Sequence, residues 1–176
     1  FRQNFLRDAA VVQQIVMAVN PGPGDHLVEL GPREGVMTAA FLQHGVPLDA
    51  VEIDRDLAAR LRERFAGQPR FRLHQADALR FAFATLASGN RLRIVGNLPY
   101  NISTPLLFHL FAQTGCIADM HFMLQKEVID RLCAAPGAAE YGRLGIMAQY
   151  HCQAEKLFEV APESFYPPPK VVSAIV

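Results

Sequence analysis

Short apolar runs alternate with amphipathic helical stretches along almost the whole chain, at intervals too long for hairpins. Residues 26–30, 48–53, 70–75, 92–95, 120–124, 157–160 and 171–176 read as strands. Between them, Val12, Ile15, Val16 and Val19 recur at helical spacing behind Asp8, a good cap. A helical stretch over 36–43 closes at Gly45, and Asp54 caps a helix with Leu57, Leu61 and Phe65 on one face. Thr104 and Pro105 suit the cap and first position of a helix carrying Leu106, Leu107, Leu110 and Phe111. Further helical stretches cover 127–133 and 143–152. This alternation calls for parallel strands joined by right-handed crossovers: an α/β fold with a mostly parallel seven-stranded sheet and helices on both faces. In such sheets ligands bind beyond the carboxyl ends of the strands.

With 176 residues, 51% of them apolar, the chain can bury one core, and residues 1–176 read as one domain. Seventeen basic and seventeen acidic residues cancel, so attraction to nucleic acid has to be local. Arg55, Arg60, Arg62, Arg64, Arg70, Arg72, Arg80, Arg91 and Arg93 crowd the middle third, several alternating with acids, and read as a solvated face. Cys116, Cys133 and Cys152 lack a Cys-x-x-Cys pair and suit free thiols in a reducing compartment. The six histidines form no ligand-spaced set, so no metal is expected. No apolar stretch reaches the roughly 20 residues of a membrane span, and no charged-then-apolar leader is expected ahead of the fold. A cytoplasmic monomer is the expectation. The start at Phe1 and the stop inside an apolar run suit a fragment.

Four strand ends carry distinctive chemistry. The first runs into Gly31, the second ends in Glu52-Ile53-Asp54, the third reaches Asp77, and the fourth runs into Asn97-Leu98-Pro99-Tyr100. An acid about 20 positions after a glycine turn is where nucleotide-binding sheets grip a ribose diol, and Glu52 stands 21 beyond Gly31. The loop is not Gly-x-Gly-x-x-Gly, which disfavours a pyrophosphate; S-adenosylmethionine, an adenosine without phosphate, fits better. Asp77 would then accept from the adenine amino group. Each piece also has a plain reading: Gly31 as a turn, Glu52 as a surface carboxylate, Asp77 as a helix cap, and the Asn-Leu-Pro-Tyr segment as a strand-to-helix turn with a buried tyrosine. Their order is the stronger signal.

At this point the residues resemble the KsgA-type ribosomal RNA adenine dimethyltransferases over nearly all positions. The likeness runs through Gln3-Asn4-Phe5-Leu6, Glu52-Ile53-Asp54, Asp77-Ala78-Leu79 and Asn97-Leu98-Pro99-Tyr100-Asn101-Ile102-Ser103. It continues in Met123-Leu124-Gln125-Lys126-Glu127-Val128, Tyr141-Gly142-Arg143-Leu144 and Phe165-Tyr166-Pro167-Pro168-Pro169-Lys170-Val171. The resemblance implies a Rossmann-like S-adenosylmethionine-dependent methyltransferase fold, with Asn4, Leu6, Gly31, Glu52, Asp77 and Asn97 contacting the cofactor. It implies as substrate two adjacent adenosines near the 3′ end of small-subunit ribosomal RNA, in an immature small subunit. The family also has a smaller carboxy-terminal helical domain, and the expectation is that residues 1–176 stop before it. Family members carry a second glycine and an apolar residue where this chain has Arg33 and Glu34, and a glycine at Arg2. A side chain at 33 crowds the loop or demands a backbone angle that glycine takes more easily, so weak cofactor binding, strengthened by Arg33→Gly, is expected.

Methylating an adenine N6 needs its delocalised lone pair aimed at the methyl carbon. Asn97 Oδ1 and the Leu98 carbonyl, both acceptors, would hold the amino hydrogens, while Tyr100 and Phe165 receive the unstacked base. For Phe165 a core aromatic beside a loop is the plain alternative. Lys126, Arg131, Lys156 and Lys170 are candidates for phosphate contacts or for simple solvation. Competing readings are a large-subunit ribosomal RNA adenine methyltransferase of the macrolide-resistance type, and a largely non-catalytic ribosome-assembly factor.

Overall fold

The computed structural model describes residues 4–176. Gln3 of the amino-terminal motif, and Arg2, lie outside the described residues. In chain order the elements are β1 (Phe5–Leu6), α1 (Ala9–Val19), β2 (Leu27–Leu30), α2 (Val36–Leu42), β3 (Leu48–Glu52), α3 (Arg55–Arg64), β4 (Phe71–Gln75) and β5 (Leu92–Asn97). They continue through α4 (Ser103–Phe111), β6 (Ile117–Gln125), α5 (Lys126–Leu132), α6 (Arg143–His151), β7 (Phe158–Val160), β8 (Phe165–Tyr166) and β9 (Ser173–Ile175).

Seven strands form one sheet in the order β4-β3-β2-β5-β6-β9-β7. Neighbours from β4 to β6 pair in parallel, and β9 runs antiparallel to both β6 and β7, so β9 alone is reversed. The mostly parallel seven-stranded sheet read from the sequence is therefore what the chain forms. Strand order turns back at β2, which lies between β3 and β5; loops leaving these neighbours in opposite directions open a crevice above them.

Side-chain alternation divides the core into two layers. Leu27, Leu48, Val95, Met123 and Ile175 cluster with the buried faces of α1 and α2. Val28, Leu30, Ile94, Phe122 and Leu124 cluster with α4, α5 and α6 on the other face. Helix α1 shows what decides local structure here. Its β-branched Val12, Ile15, Val16 and Val19 each lower helix propensity by tenths of a kcal/mol, but all four are buried. Burial of such a side chain contributes roughly 1.5–3 kcal/mol and wins easily. Asp8 caps the helix by accepting from the amides of Ala10 and Val11, as expected.

Several boundaries move. β5 continues through Gly96 to Asn97, so Asn97 ends the strand instead of following it. α4 starts at Ser103, placing Thr104 and Pro105 inside its first turn; Pro105 is tolerated because first-turn amides have no intrahelical acceptor. Along α3, Ala58 and Leu61 face the core with Phe65, whereas Leu57 turns to the crevice. The arginine-rich middle is not wholly solvated. The Arg93 side chain is only 14% exposed and grips Asp119 through two nitrogens at 2.9 and 3.0 Å, Asp25 at 2.9 Å and the Val19 carbonyl. Arg72, His26 and His74 converge on the fully buried Asp49. The β1–β8 ribbon, an antiparallel pair of two-residue strands, has no counterpart in the sequence reading.

Candidate functional site

Beyond the carboxyl ends of β2, β3, β4 and β5 lies a cleft of about 1080 Å³. Asn4, Gly31, Glu52, Asp77, Asn97, Leu98, Tyr100 and Phe165 all line it. Leu6 does not: it is 5% exposed and faces a smaller adjoining cavity shared with Gly31, Glu29 and Asn97.

Each residue is placed by local chemistry. Glu52, the last residue of β3, is 5% exposed, and its two carboxylate oxygens accept from the Arg33 amide at 3.1 Å and the Asp54 amide at 3.0 Å. That fixes the carboxylate and leaves its remaining lone pairs to the cleft. Asp54 in turn caps α3 through the amides of Asp56 and Leu57. Beside them Ile53 stands 65% exposed, an apolar surface at the cleft edge. Asp77 accepts from the Leu79 amide at 3.0 Å through Oδ1 alone. The capping and the ligand-accepting readings of Asp77 are thus compatible, because capping leaves Oδ2 available.

Gly31 has φ +62° and donates its amide to the Val51 carbonyl at 2.9 Å, turning the chain tightly at the cleft floor. Arg33 follows with φ +54°, the backbone angle expected to trouble a non-glycine residue there. Its side chain lines the cleft and reaches the Asn4 carbonyl at 2.8 Å. Burial lowers the Arg33 pKa from its usual value, while the nearby Glu52 and Tyr100 oppose that shift.

On the other side, Asn97 is half-buried and lines both cavities. The Leu98 side chain is buried while its carbonyl accepts no backbone hydrogen bond among the described residues. Tyr100 is oriented from two directions: its hydroxyl meets Ser173 Oγ at 2.9 Å, and its carbonyl accepts from Ser103 Oγ at 3.1 Å. Phe165 is 4% exposed and packs in the same core cluster as Leu6, so it forms a wall of the cleft and not a free platform. Three of the four candidate phosphate-contacting cations are already engaged: Lys126 with Asp130 at 2.9 Å, Arg131 with Glu127 at 2.6 Å, and Lys156 with Glu159 at 3.3 Å.

Two contributors went unread in the sequence although each left a signal. Ser173 is the lone hydroxyl in the apolar run 171–176, and it is fully buried. Glu29 is the lone carboxylate in the apolar β2; it is 2% exposed and accepts from Thr38 Oγ1 at 2.5 Å. Burial pushes the Glu29 pKa up to about 7 against the Thr38 bond, and the charge of Glu52 adds to the rise.

The acceptor set is selective. Glu52, Asp54, Asp56 and Asp77 line the cleft against two cations, Arg33 and Arg60, a balance that repels phosphate but accepts hydroxyl and amino hydrogens. No helix among the described residues is long and apolar enough to cross a membrane, and no described group of three His, Cys, Asp or Glu could hold a metal ion.

The sequence matches the family described as Ribosomal RNA adenine dimethylase over residues 1–176. The chain is 63% identical over 176 residues to Ribosomal RNA small subunit methyltransferase A of Methylococcus capsulatus, covering all of this chain and 68% of that protein. Its fold is similar to the crystal structure of a dimethyladenosine transferase from Plasmodium falciparum, with a TM-score of 0.85 at 28% identity over 97% of this chain and 61% of the other. The 23S rRNA methyltransferase ErmE is equally similar in fold, with a TM-score of 0.85 at 28% identity over 98% of this chain and 68% of the other. The cleft at the strand-order reversal and the match along the full sequence agree: this chain belongs to the ribosomal RNA adenine dimethylase family.

Proposed function

We propose that this chain is the S-adenosylmethionine-dependent methyltransferase domain of an enzyme that dimethylates N6 of two adjacent adenosines near the 3′ end of small-subunit ribosomal RNA, acting as a monomer in the cytoplasm on immature small subunits. The single observation that carries the reading is the cleft itself, where Glu52, Asp77 and Asn97 from three successive strand ends line one space.

The cleft suits the cofactor chemically. Glu52 would accept from the ribose hydroxyls, Asp77 from the adenine amino group, and the neighbouring carboxylates disfavour phosphate-bearing nucleotides. Asn4, Gly31 and Asn97 would hold the methionine end, with Leu6 beside them in the adjoining cavity. When bound, S-adenosylmethionine supplies a methyl group activated by a sulfonium. The chain does the rest by positioning. Asn97 Oδ1 and the Leu98 carbonyl would accept the amino hydrogens of the target adenine, turning its lone pair outward and stabilising the positive charge that grows on nitrogen. Tyr100, fixed by Ser173 and Ser103, would cover the base, with Phe165 as the back wall. In this reading the site accepts hydrogens and abstracts no proton in the rate-setting step. Holding both reactants in attack geometry contributes roughly 7–11 kcal/mol in the best intramolecular cases, more than general-base help of 10²–10⁴-fold supplies. Arg33→Gly, which frees the left-handed backbone and the space taken by the guanidinium, is expected to tighten cofactor binding.

The identity to a small-subunit methyltransferase, more than twice the identity to ErmE, favours small-subunit RNA over the large-subunit competitor. Radiolabelled methyl transfer tests the reading with purified immature small subunits and large subunits side by side. Label in small-subunit RNA is expected. Label only in large-subunit RNA selects the competitor, and retained binding without label selects an assembly factor.

A further inference from the structure

Only two described non-glycine residues have left-handed backbones, Asn20 at φ +49° and Arg33 at φ +54°. Asparagine tolerates that region and here ends α1. Arginine has no such excuse, so its surroundings must hold it. The Arg33 amide donates to Glu52 at 3.1 Å and its guanidinium donates to the Asn4 carbonyl at 2.8 Å. The next residue repeats the pattern: the Glu34 carboxylate lies 3.4 Å from the Arg7 guanidinium, and the Glu34 carbonyl accepts from Arg64. Consecutive side chains of the glycine loop therefore reach the chain on both sides of β1.

β1 carries the far wall of the cleft. Leu6 pairs with Phe165 and Phe5 with Tyr166. The amides of Arg7 and Asp8 donate to the Ser164 carbonyl, and Ser164 Oγ donates to Asp8 at 3.0 Å. Glu52 and Phe165 belong to different sheets, with no strand ladder between them. Arg33 spans that gap. The Arg7–Glu34 pair is largely exposed and adds little alone, which leaves the half-buried Arg33 as the principal polar tie from the glycine loop, beside the apolar packing of Leu6 and Phe165 on the sheet.

We propose that Arg33, assisted by Glu34, is a positioning residue that ties the cofactor loop to the β1–β8 ribbon, so that filling the cofactor end of the cleft fixes the Phe165 wall at the nucleobase end. The proposal rests on the methyltransferase reading of the cleft. A glycine and an apolar residue, which the resemblance implies at these two places, would form neither side-chain contact. Coupling of this kind is a differential stabilisation of two arrangements, and it shows in the exchange of amides remote from the ligand.

Hydrogen–deuterium exchange with and without saturating S-adenosylhomocysteine tests it. In the unmodified chain the ligand should slow exchange in the loop 31–35 and also, by about fivefold or more, at the ribbon amides of 7–8 and 164–166, which the cofactor does not touch in this reading. Arg33→Ala should keep the loop response and lose the ribbon response. Arg33→Gly should do the same although it relieves the backbone, which separates the side-chain tie from strain. Arg33→Lys, retaining a donor, should restore part of the ribbon response. Ribbon protection that persists in both Arg33→Ala and Arg33→Gly, or protection confined to the loop in the unmodified chain, overturns the proposal. Exchange unchanged by the ligand everywhere overturns the methyltransferase reading and the tie together.

Discussion

Replacing Glu52 with glutamine keeps the shape of the side chain and removes its charge, and the structure sets the consequence. Both carboxylate oxygens accept a backbone amide, from Arg33 and from Asp54, in a site only 5% exposed. A glutamine amide has one oxygen, so in either orientation its NH₂ group faces a backbone N–H and leaves that donor unpaired. The cost to folding is about 1–3 kcal/mol, or a melting temperature lower by roughly 2–4 °C for each kcal/mol in a chain of this size. The cofactor loses more specifically. Hydrogen bonds to a charged acceptor contribute about 1.5–3 kcal/mol against about 0.5–1.5 for a neutral one, so a diol with two hydroxyls loses about 2–3 kcal/mol. At about 1.4 kcal/mol per factor of ten, the dissociation constant for S-adenosylhomocysteine rises by about 30- to 150-fold. Titration calorimetry well below the melting temperature of the variant reads this directly. A folded Glu52→Gln chain that binds within twofold of the parent would refute the assignment of Glu52 to the ribose.

Other outcomes follow from the same geometry. Tyr100→Ala should lower methyl-transfer turnover by about 5- to 150-fold, the worth of one stacked base, while calorimetry shows cofactor affinity nearly unchanged; equal turnover removes Tyr100 from the mechanism. Tyr100→Phe strands the fully buried Ser173 hydroxyl and should cost about 1–2 kcal/mol in urea unfolding with the ring still in place. Gly96→Ala would bring a methyl group to 2.7 Å from the Leu30 carbonyl oxygen, forcing β2 and β5 apart beneath the cleft; destabilisation of about 1–3 kcal/mol is expected, and an unchanged urea midpoint counts against the strand spacing described here. Burial raises Glu29 to about 7, so folding favours its protonated form. Its effect is absent below the unfolded value near 4.5, grows as pH rises toward 7 and is constant above that. Glu29→Gln should therefore gain up to about 3 kcal/mol over the parent at pH 8 and nothing at pH 4, measured by urea unfolding across that range.

The layers of the fold were legible because burial and pattern coincide in them. Asp8 and Asp54 cap as the sequence says, and the alternating strands fall in the expected places. The boundaries that moved did so for tertiary reasons: β5 runs on through Gly96 and Asn97 because β6 supplies pairing partners there, which no local propensity shows. Arg93 reads as solvated in sequence because its partners Asp25 and Asp119 lie 68 and 26 residues away. The β1–β8 ribbon is invisible for a similar reason, as two residues give no periodicity and their partners are more than 150 residues distant. In the site, the acids and Asn97 were readable from their order at strand ends. The restraints on Tyr100 and Arg33 were not, since Ser173 and the Asn4 carbonyl reach them only once the sheet and ribbon are assembled.

A crystal structure of the chain with S-adenosylmethionine bound tests the central claim most directly. The account predicts the ribose on Glu52, the adenine amino group on Asp77, and the methyl carbon directed at the space between Asn97 Oδ1, the Leu98 carbonyl and the Tyr100 ring. Adenosine bound away from Glu52 and Asp77, or a methyl group facing away from Asn97 and Tyr100, would contradict it.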